Sequence, residues 1–259
     1  MATASPSPTP PPAGSGKAQR HERLDALRGM AVLWMAAYHF CFDLNHLGLI
    51  KPRQYFFSDP LWTWQRAAIV TLFVFCAGLS MAVALRQGQG WPRFWRRWAQ
   101  VAACAVLVSA GSALMFPNSW ISFGVLHGLA VMLVLARLLA LALPARPLLW
   151  AGLGVLALVL PAWIKHRFFD SAWTHWVGLV TRPPITEDWV PVLPWLGVML
   201  LGLAAGHVEL RRPRPWLTQA LPRSLRYVAA LGRWSLSFYM LHQPVLLGAL
   251  LAGRQLGWW

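Results

Sequence analysis

The residues 25–50, DALRGMAVLWMAAYHFCFDLNHLGLI, place five ionisable side chains in an otherwise apolar run. A helix turns by ~100° per residue, so Arg28 and His39, three turns apart, fall within ~20° of one face. Asp43 stands at i+4 from His39, His46 at i+7, and Asp25 at i−3 from Arg28. One stripe therefore carries all five. Asp43 can accept a hydrogen bond from one ring nitrogen of His39, fix its tautomer and leave the other nitrogen free as a general base. The same spacing also serves a buried His–Asp bond that only holds helices together. Arg28, near one end of the run, is suited either to snorkelling or to a phosphate contact.

Other polar residues interrupt later apolar runs. His127 lies in SFGVLHGLAVMLVLARL, and His242 and Gln243 lie in SLSFYMLHQPVLLG. Counted from the ends of their segments, His39, His127 and His242 fall at similar depth, which predicts one shared polar site. His242 and Gln243 are candidates for positioning an acceptor or stabilising an oxyanion. The motif RFWRRW sets Arg93, Arg96 and Arg97 among tryptophans. It reads as an interfacial anchor or as a grip on the phosphates of a nucleotide-like ligand. No metal site is expected, because no histidine pair stands at i, i+4 and carboxylates are few. Cys41, Cys76 and Cys104 all lie in apolar runs and read as small buried hydrophobes.

These residues need helices in a bilayer to position them. The chain is 57% hydrophobic and only 12% charged, against roughly 25% charged in soluble domains. Seven apolar segments, at about 28–49, 64–85, 98–116, 120–142, 147–165, 190–209 and 230–252, each approach the ~20 residues that cross a bilayer. Pro191 and Pro194 suit a helix start, and Pro244 predicts a kink. The expected fold is all-α: a polytopic membrane protein of about seven transmembrane helices in one bundle with a central polar cavity. Ionisable groups in such helices face the interior.

The formal charge of +15 is concentrated in alternate loops, which speaks for membrane topology rather than nucleic acid. KAQRHER, RQGQGWPRFWRRW and ELRRPRPWLTQALPRSLRY are basic, whereas 50–63, 117–119 and 166–189 are poorer in Lys and Arg. The positive-inside rule then puts the N-terminus in the cytoplasm and the C-terminus outside. Residues 1–20 are Pro-rich and read as a disordered cytoplasmic tail without a signal-peptide pattern, ahead of one membrane domain over 21–254. The segment 166–189 is long enough to fold over the outer mouth of a cavity.

The block RLDALRGMAVLWMAAYHFCFDL resembles the first helix of the bacterial membrane proteins grouped with the catalytic domain of heparan-alpha-glucosaminide N-acetyltransferase. LFVFCAGLSMAVAL, ISFGVLHGLAVMLVL, DWVPVLPWLGVMLLGLAAG and LGRWSLSFYMLHQPVLL continue the likeness in order over about residues 20–250. The first block is also similar to the Arg…His pattern of the acyltransferase-3 family, in which the histidine is held to be catalytic and the arginine essential. The chain departs from the lysosomal enzyme at QYFFSDPLW, which has no histidine, and from near relatives at Trp234, where they often carry histidine. The resemblance implies an inner-membrane acyltransferase. It would move an acetyl group from cytoplasmic acetyl-CoA to a sugar hydroxyl or amine of a saccharide or glycolipid outside. His39 would be the base oriented by Asp43, or a nucleophile that forms an acetyl-histidine first. Arg28, with Arg96 and Arg97, would hold the donor. Two other classes compete: a small transporter with a polar midplane, against which the lack of a repeat counts, and a structural membrane protein without catalysis.

Overall fold

A computed structural model of the chain describes residues 21–212 and 216–258. The Pro-rich tail of residues 1–20 lies outside them. Among the described residues there are eight α-helices and no strand: α1 (Glu22–His46), α2 (Pro60–Arg86), α3 (Trp91–Met115), α4 (Val125–Ala142), α5 (Pro147–Trp163), α6 (Val192–Glu209), α7 (Arg226–Arg233) and α8 (Ser235–Gln255). Each of the seven apolar segments contains a long helix, and α7 is an addition. The last segment is interrupted at Trp234, between α7 and α8, while α8 runs on through Pro244. The fourth helix begins at Val125 rather than near residue 120.

Local sequence sets these bounds. The Asp59 side chain accepts from the Leu61 N–H and Pro60 takes the first position of α2, where a missing N–H costs nothing. Pro147 takes the first position of α5 and Pro92 the second of α3. Gly48 and Gly88, at φ 76° and 64°, turn the chain after α1 and α2, a conformation that disfavours residues with a Cβ.

Five of these helices, α2, α3, α4, α6 and α8, are long and apolar enough to cross a membrane. The remaining two long helices fall short for separate reasons. α5 has 17 residues, about 26 Å of helix against a hydrocarbon core of ~30 Å. α1 carries the polar stripe itself.

Backbone-to-backbone packing organises one half of the bundle. A Cβ on Gly78 of α2 would stand 2.0 Å from the Met199 carbonyl oxygen of α6, and one on Gly202 of α6 would stand 2.3 Å from that of Phe75. Gly154 of α5 and Gly197 of α6 meet in the same way. Small residues let membrane helices approach until dispersion contacts hold them. Val74, Met132, Trp150, Met199 and Leu203 fill the core between α2, α4, α5 and α6. α1 packs by the same device on α7, where a Cβ on Gly232 would stand 1.7 Å from the Asp25 carbonyl oxygen.

The bundle has two distinct ends. At the arginine end, Arg23 donates to the Ala220 carbonyl, Arg211 to that of Ala145, and buried Arg137 to that of Gln89. Arg137 also lies 5.3 Å from the centroid of Trp91, which fixes the α2–α3 turn. At the opposite end the segment 164–191 forms a strap over the start of α4. Its Glu187 and Val190 N–H groups donate to the carbonyls of Ser119 and Phe123.

Candidate functional site

His39 on α1 and His242 on α8 are brought together, their ring centroids 5.1 Å apart at 62°. Asp43, 3% exposed, lies one turn beyond His39. The structure does not make the expected His39–Asp43 bond. Asp43 Oδ1 accepts instead from Gln243 Nε2 at 2.7 Å, a partner on another helix 200 residues away. Among the described residues, His39 makes no hydrogen bond. His242 Nδ1 donates to the Tyr239 carbonyl at 2.7 Å, so its Nε2 is an acceptor. That nitrogen, Asp43 Oδ2 and Gln243 Oε1 are buried without a partner among the described residues. All three free atoms are acceptors. In this state His242 offers no N–H to an oxyanion and Gln243 keeps one beyond its bond to Asp43; the free acceptors suit a group that brings protons of its own.

A cavity of about 410 Å³ opens from this cluster toward the strap end. His39, Asp43 and Gln243 line its depth, and His46, Arg66, Glu187 and Asp188 its mouth. Phe42, Phe57, Phe73 and Phe116 supply much of the wall. The strap therefore does fold over a cavity mouth. Asp188 has two duties: its Oδ2 accepts from the Val125 N–H at 2.7 Å, which caps α4, and it also lines the mouth. Burial pushes its carboxyl above the ordinary carboxylate range, and the Val125 N–H and the Arg66 charge oppose this.

The strap is tied down by His175, which is 4% exposed. Its Nδ1 accepts from the Trp189 indole N–H at 3.2 Å, leaving Nε2 to pair with Ser122 Oγ at 3.4 Å. That arrangement needs a neutral imidazole, and burial lowers its pKa. A base with a lowered folded pKa adds stability that is complete above its unfolded value of about 6.5 and declines as pH falls through the folded one. Between pH about 7.5 and about 5.5, the thermal midpoint of the wild type is expected to fall more than that of His175→Gln. Equal slopes in the two melting series would remove His175 from this role.

His127 is not part of the cluster. Because α4 starts at Val125, His127 sits in its first turn rather than at mid-depth. Its Nδ1 accepts from the Gly124 N–H at 3.3 Å and its Nε2 pairs with Ser109 Oγ at 3.1 Å. Both ring nitrogens are used to fix a helix start, which leaves none for a substrate.

At the arginine end a groove runs between α3 and α8, lined by Arg97, Gln100, Cys104, Arg233, Trp234 and Ser237. Arg93, Arg96 and Arg97 line a second hollow beside it. Arg28 pairs with Asp25 at 3.1 Å and donates to Ser80 Oγ. Its guanidinium also interacts electrostatically with that of Arg97. Groove and cavity share α8: residues 233–241 line the first and 239–251 the second. Val101 and Ala105 of α3, packed on Leu236, Tyr239 and Met240, stand between them. Among the described residues, no group of three His, Cys, Asp or Glu is placed to hold a metal ion.

Residues 20–244 match the family model described as heparan-alpha-glucosaminide N-acetyltransferase, catalytic. The chain belongs to this family. No curated protein and no solved structure matches it.

In this N-acetyltransferase family member the matched span holds both the polar cluster and the glycine-packed core. Two of the resembling blocks owe much of their pattern to packing: the α2 block carries Gly78, and the α6 block carries Gly197, Gly202 and Gly206. Arg66 and Tyr239 were not singled out by the sequence, and Trp234 only as a departure from near relatives, although all three line the two hollows. Arg66 had a usable signal as a cation six residues into an apolar helix. Trp234 had only its place in the last block.

Proposed function

We propose that the chain transfers an acetyl group from acetyl-CoA to a sugar hydroxyl or amine of a saccharide or glycolipid. The carrying observation is a pair of unlike hollows that share α8, a basic groove and a largely apolar cavity lined by His39, Asp43 and Gln243. The arginine end faces the cytoplasm by the positive-inside rule, so the donor enters there and the acceptor enters the strap-end cavity. The protein is then an inner-membrane protein with its N-terminus inside.

Arg28, Arg96 and Arg97 hold the donor phosphates, joined by Arg233 on the opposite wall of the groove. Trp234, 69% exposed, offers a face for the adenine. Asp43 Oδ2 and Gln243 Oε1 accept hydrogen bonds from an amine's second N–H or from a neighbouring sugar hydroxyl, which leaves the proton to be lost facing His39 and aims the acceptor lone pair at the thioester. His39 takes the proton that leaves as the new carbon–nitrogen or carbon–oxygen bond forms and the carbon–sulfur bond breaks. It then returns that proton to the departing thiolate. In the two-step variant, His39 attacks first and carries the acetyl group itself. The donor contributes the activated acyl carbon, and the protein contributes proximity and proton transfer.

Calorimetric titration of acetyl-CoA into purified protein tests the donor half. The wild type should bind saturably, and the Arg28→Ala, Arg97→Ala double variant should bind ~10²–10⁴-fold more weakly, since charge-assisted contacts carry ~1.5–3 kcal/mol each. A folded wild type that binds no acetyl-CoA sinks the proposal.

A further inference from the structure

Given His39 as the base, we infer that His242, rather than Asp43, is the residue that orients it. Three observations converge. The carboxylate expected to do so makes no bond to His39: Asp43 Oδ1 accepts from Gln243, and its other oxygen is unpartnered. The His242 ring is fixed from both sides, by its Nδ1–H on the Tyr239 carbonyl and by Phe238, stacked at 8° with centroids 6.1 Å apart. This leaves Nε2, buried and without a partner, as an acceptor of fixed position. The nearest ring is His39, with its centroid 5.1 Å away, a separation that leaves hydrogen-bond reach between the two rings when a His39 nitrogen turns toward His242.

The geometry thus specifies a histidine pair. His242 does not line the cavity; it stands behind His39, which does. One His39 nitrogen faces the acceptor, and its other N–H donates to His242 Nε2. That bond selects the His39 tautomer whose lone pair faces the cavity. It also stabilises the imidazolium that forms when His39 takes the acceptor proton. No proton need pass to His242, so the balance of the transfer is unchanged: the proton leaves the acceptor for His39 and goes from there to the thiolate. Asp43 is left to the acceptor itself. His242 is accordingly a positioning residue.

Histidine-selective nitrogen labelling reports the tautomer of His39 directly, with His39→Ala assigning its signals. At fixed neutral pH, His242→Leu should move the His39 nitrogen shifts toward a tautomer mixture, while Asp43→Asn leaves them in place. His242→Gln, whose side-chain oxygen can stand near the lost Nε2, should restore much of the wild-type pattern. With acetyl-CoA and glucosamine as the probe pair, His242→Leu should lower kcat by ~100-fold with little change in KM, and His242→Gln should recover to within ~10-fold of wild type. His39 shifts that respond to Asp43→Asn and ignore His242→Leu overturn the inference. So does a His242→Leu enzyme with wild-type kcat. Because the spectra need no turnover, loss of the pairing is told apart from failure of the acetyltransfer reading, which would show as a folded wild type that neither binds acetyl-CoA nor transfers its acetyl group.

Discussion

Replacing His39 by alanine is expected to bring acetyl transfer to background, a loss of ~10²–10⁴-fold in kcat, the range general-base catalysis supplies. Two features make the effect large. His39 lines the cavity together with Asp43 and Gln243, whose Oδ2 and Oε1 are unpartnered acceptors among the described residues. Of the other two cluster histidine candidates, His127 has both nitrogens engaged in the start of α4, and His242 lies behind His39 rather than on the cavity wall. Other bases on the cavity wall include His46 and the Asp43 carboxylate, and neither is packed on His242 as His39 is. The check is radiolabelled transfer from acetyl-CoA to glucosamine in proteoliposomes, wild type beside His39→Ala, with both proteins shown to melt alike. Alanine should not unfold the protein, because His39 is only half-buried and bonds to nothing among the described residues. Undiminished transfer by His39→Ala would move the base elsewhere.

The second large effect belongs to a residue with no chemistry. Gly202→Leu should destroy the native bundle, at a cost of at least ~3 kcal/mol, seen as loss of monodisperse protein or a sharply lower melting temperature. A Cβ there meets the Phe75 carbonyl oxygen at 2.3 Å and its carbonyl carbon at 3.0 Å. Those are backbone atoms of a membrane helix, which cannot rotate away, so α2 and α6 must part along their length. Separation opens the core around Met199 and Leu203 and also withdraws α2, whose Arg66 and Ile69 line the cavity. Gly152→Leu is the control: nothing lies within 4 Å of a Cβ at that position of α5. Similar melting curves for the two variants would refute this account of the α2–α6 contact.

The sequence carried a good deal of this in local patterns. Apolar runs and their prolines located the long helices, since both crossing length and N-terminal proline act within one segment. The stripe on α1 was legible because helical period alone places His39 and Asp43 on one face, and both do line one cavity. Partner choice was not legible. Asp43 pairs with Gln243, 200 residues away, and no period within one helix reports how two helices meet. The depth of His127 failed for another reason. Residues 120–124 are apolar enough to extend the run, yet they form the turn that Asp188 caps from the strap. Trp234 gives no sign of a helix break either, because no proline or positive-φ glycine marks it.

α3 and α8 differ from the glycine-bound helices in one respect with mechanical consequences. Only 17% and 11% of their most apolar stretches are buried in the protein, against 50% for α2 and α6. Lipid, more than neighbouring helix, holds them in place. Half of the polar cluster, His242 and Gln243, rides on α8, while His39 and Asp43 ride on α1. The site therefore spans a seam whose closure depends on the lateral pressure of the surrounding bilayer. Turnover should track acyl-chain composition and detergent headgroup even where the melting temperature does not, so that the membrane tunes the enzyme as a working part of its tertiary structure.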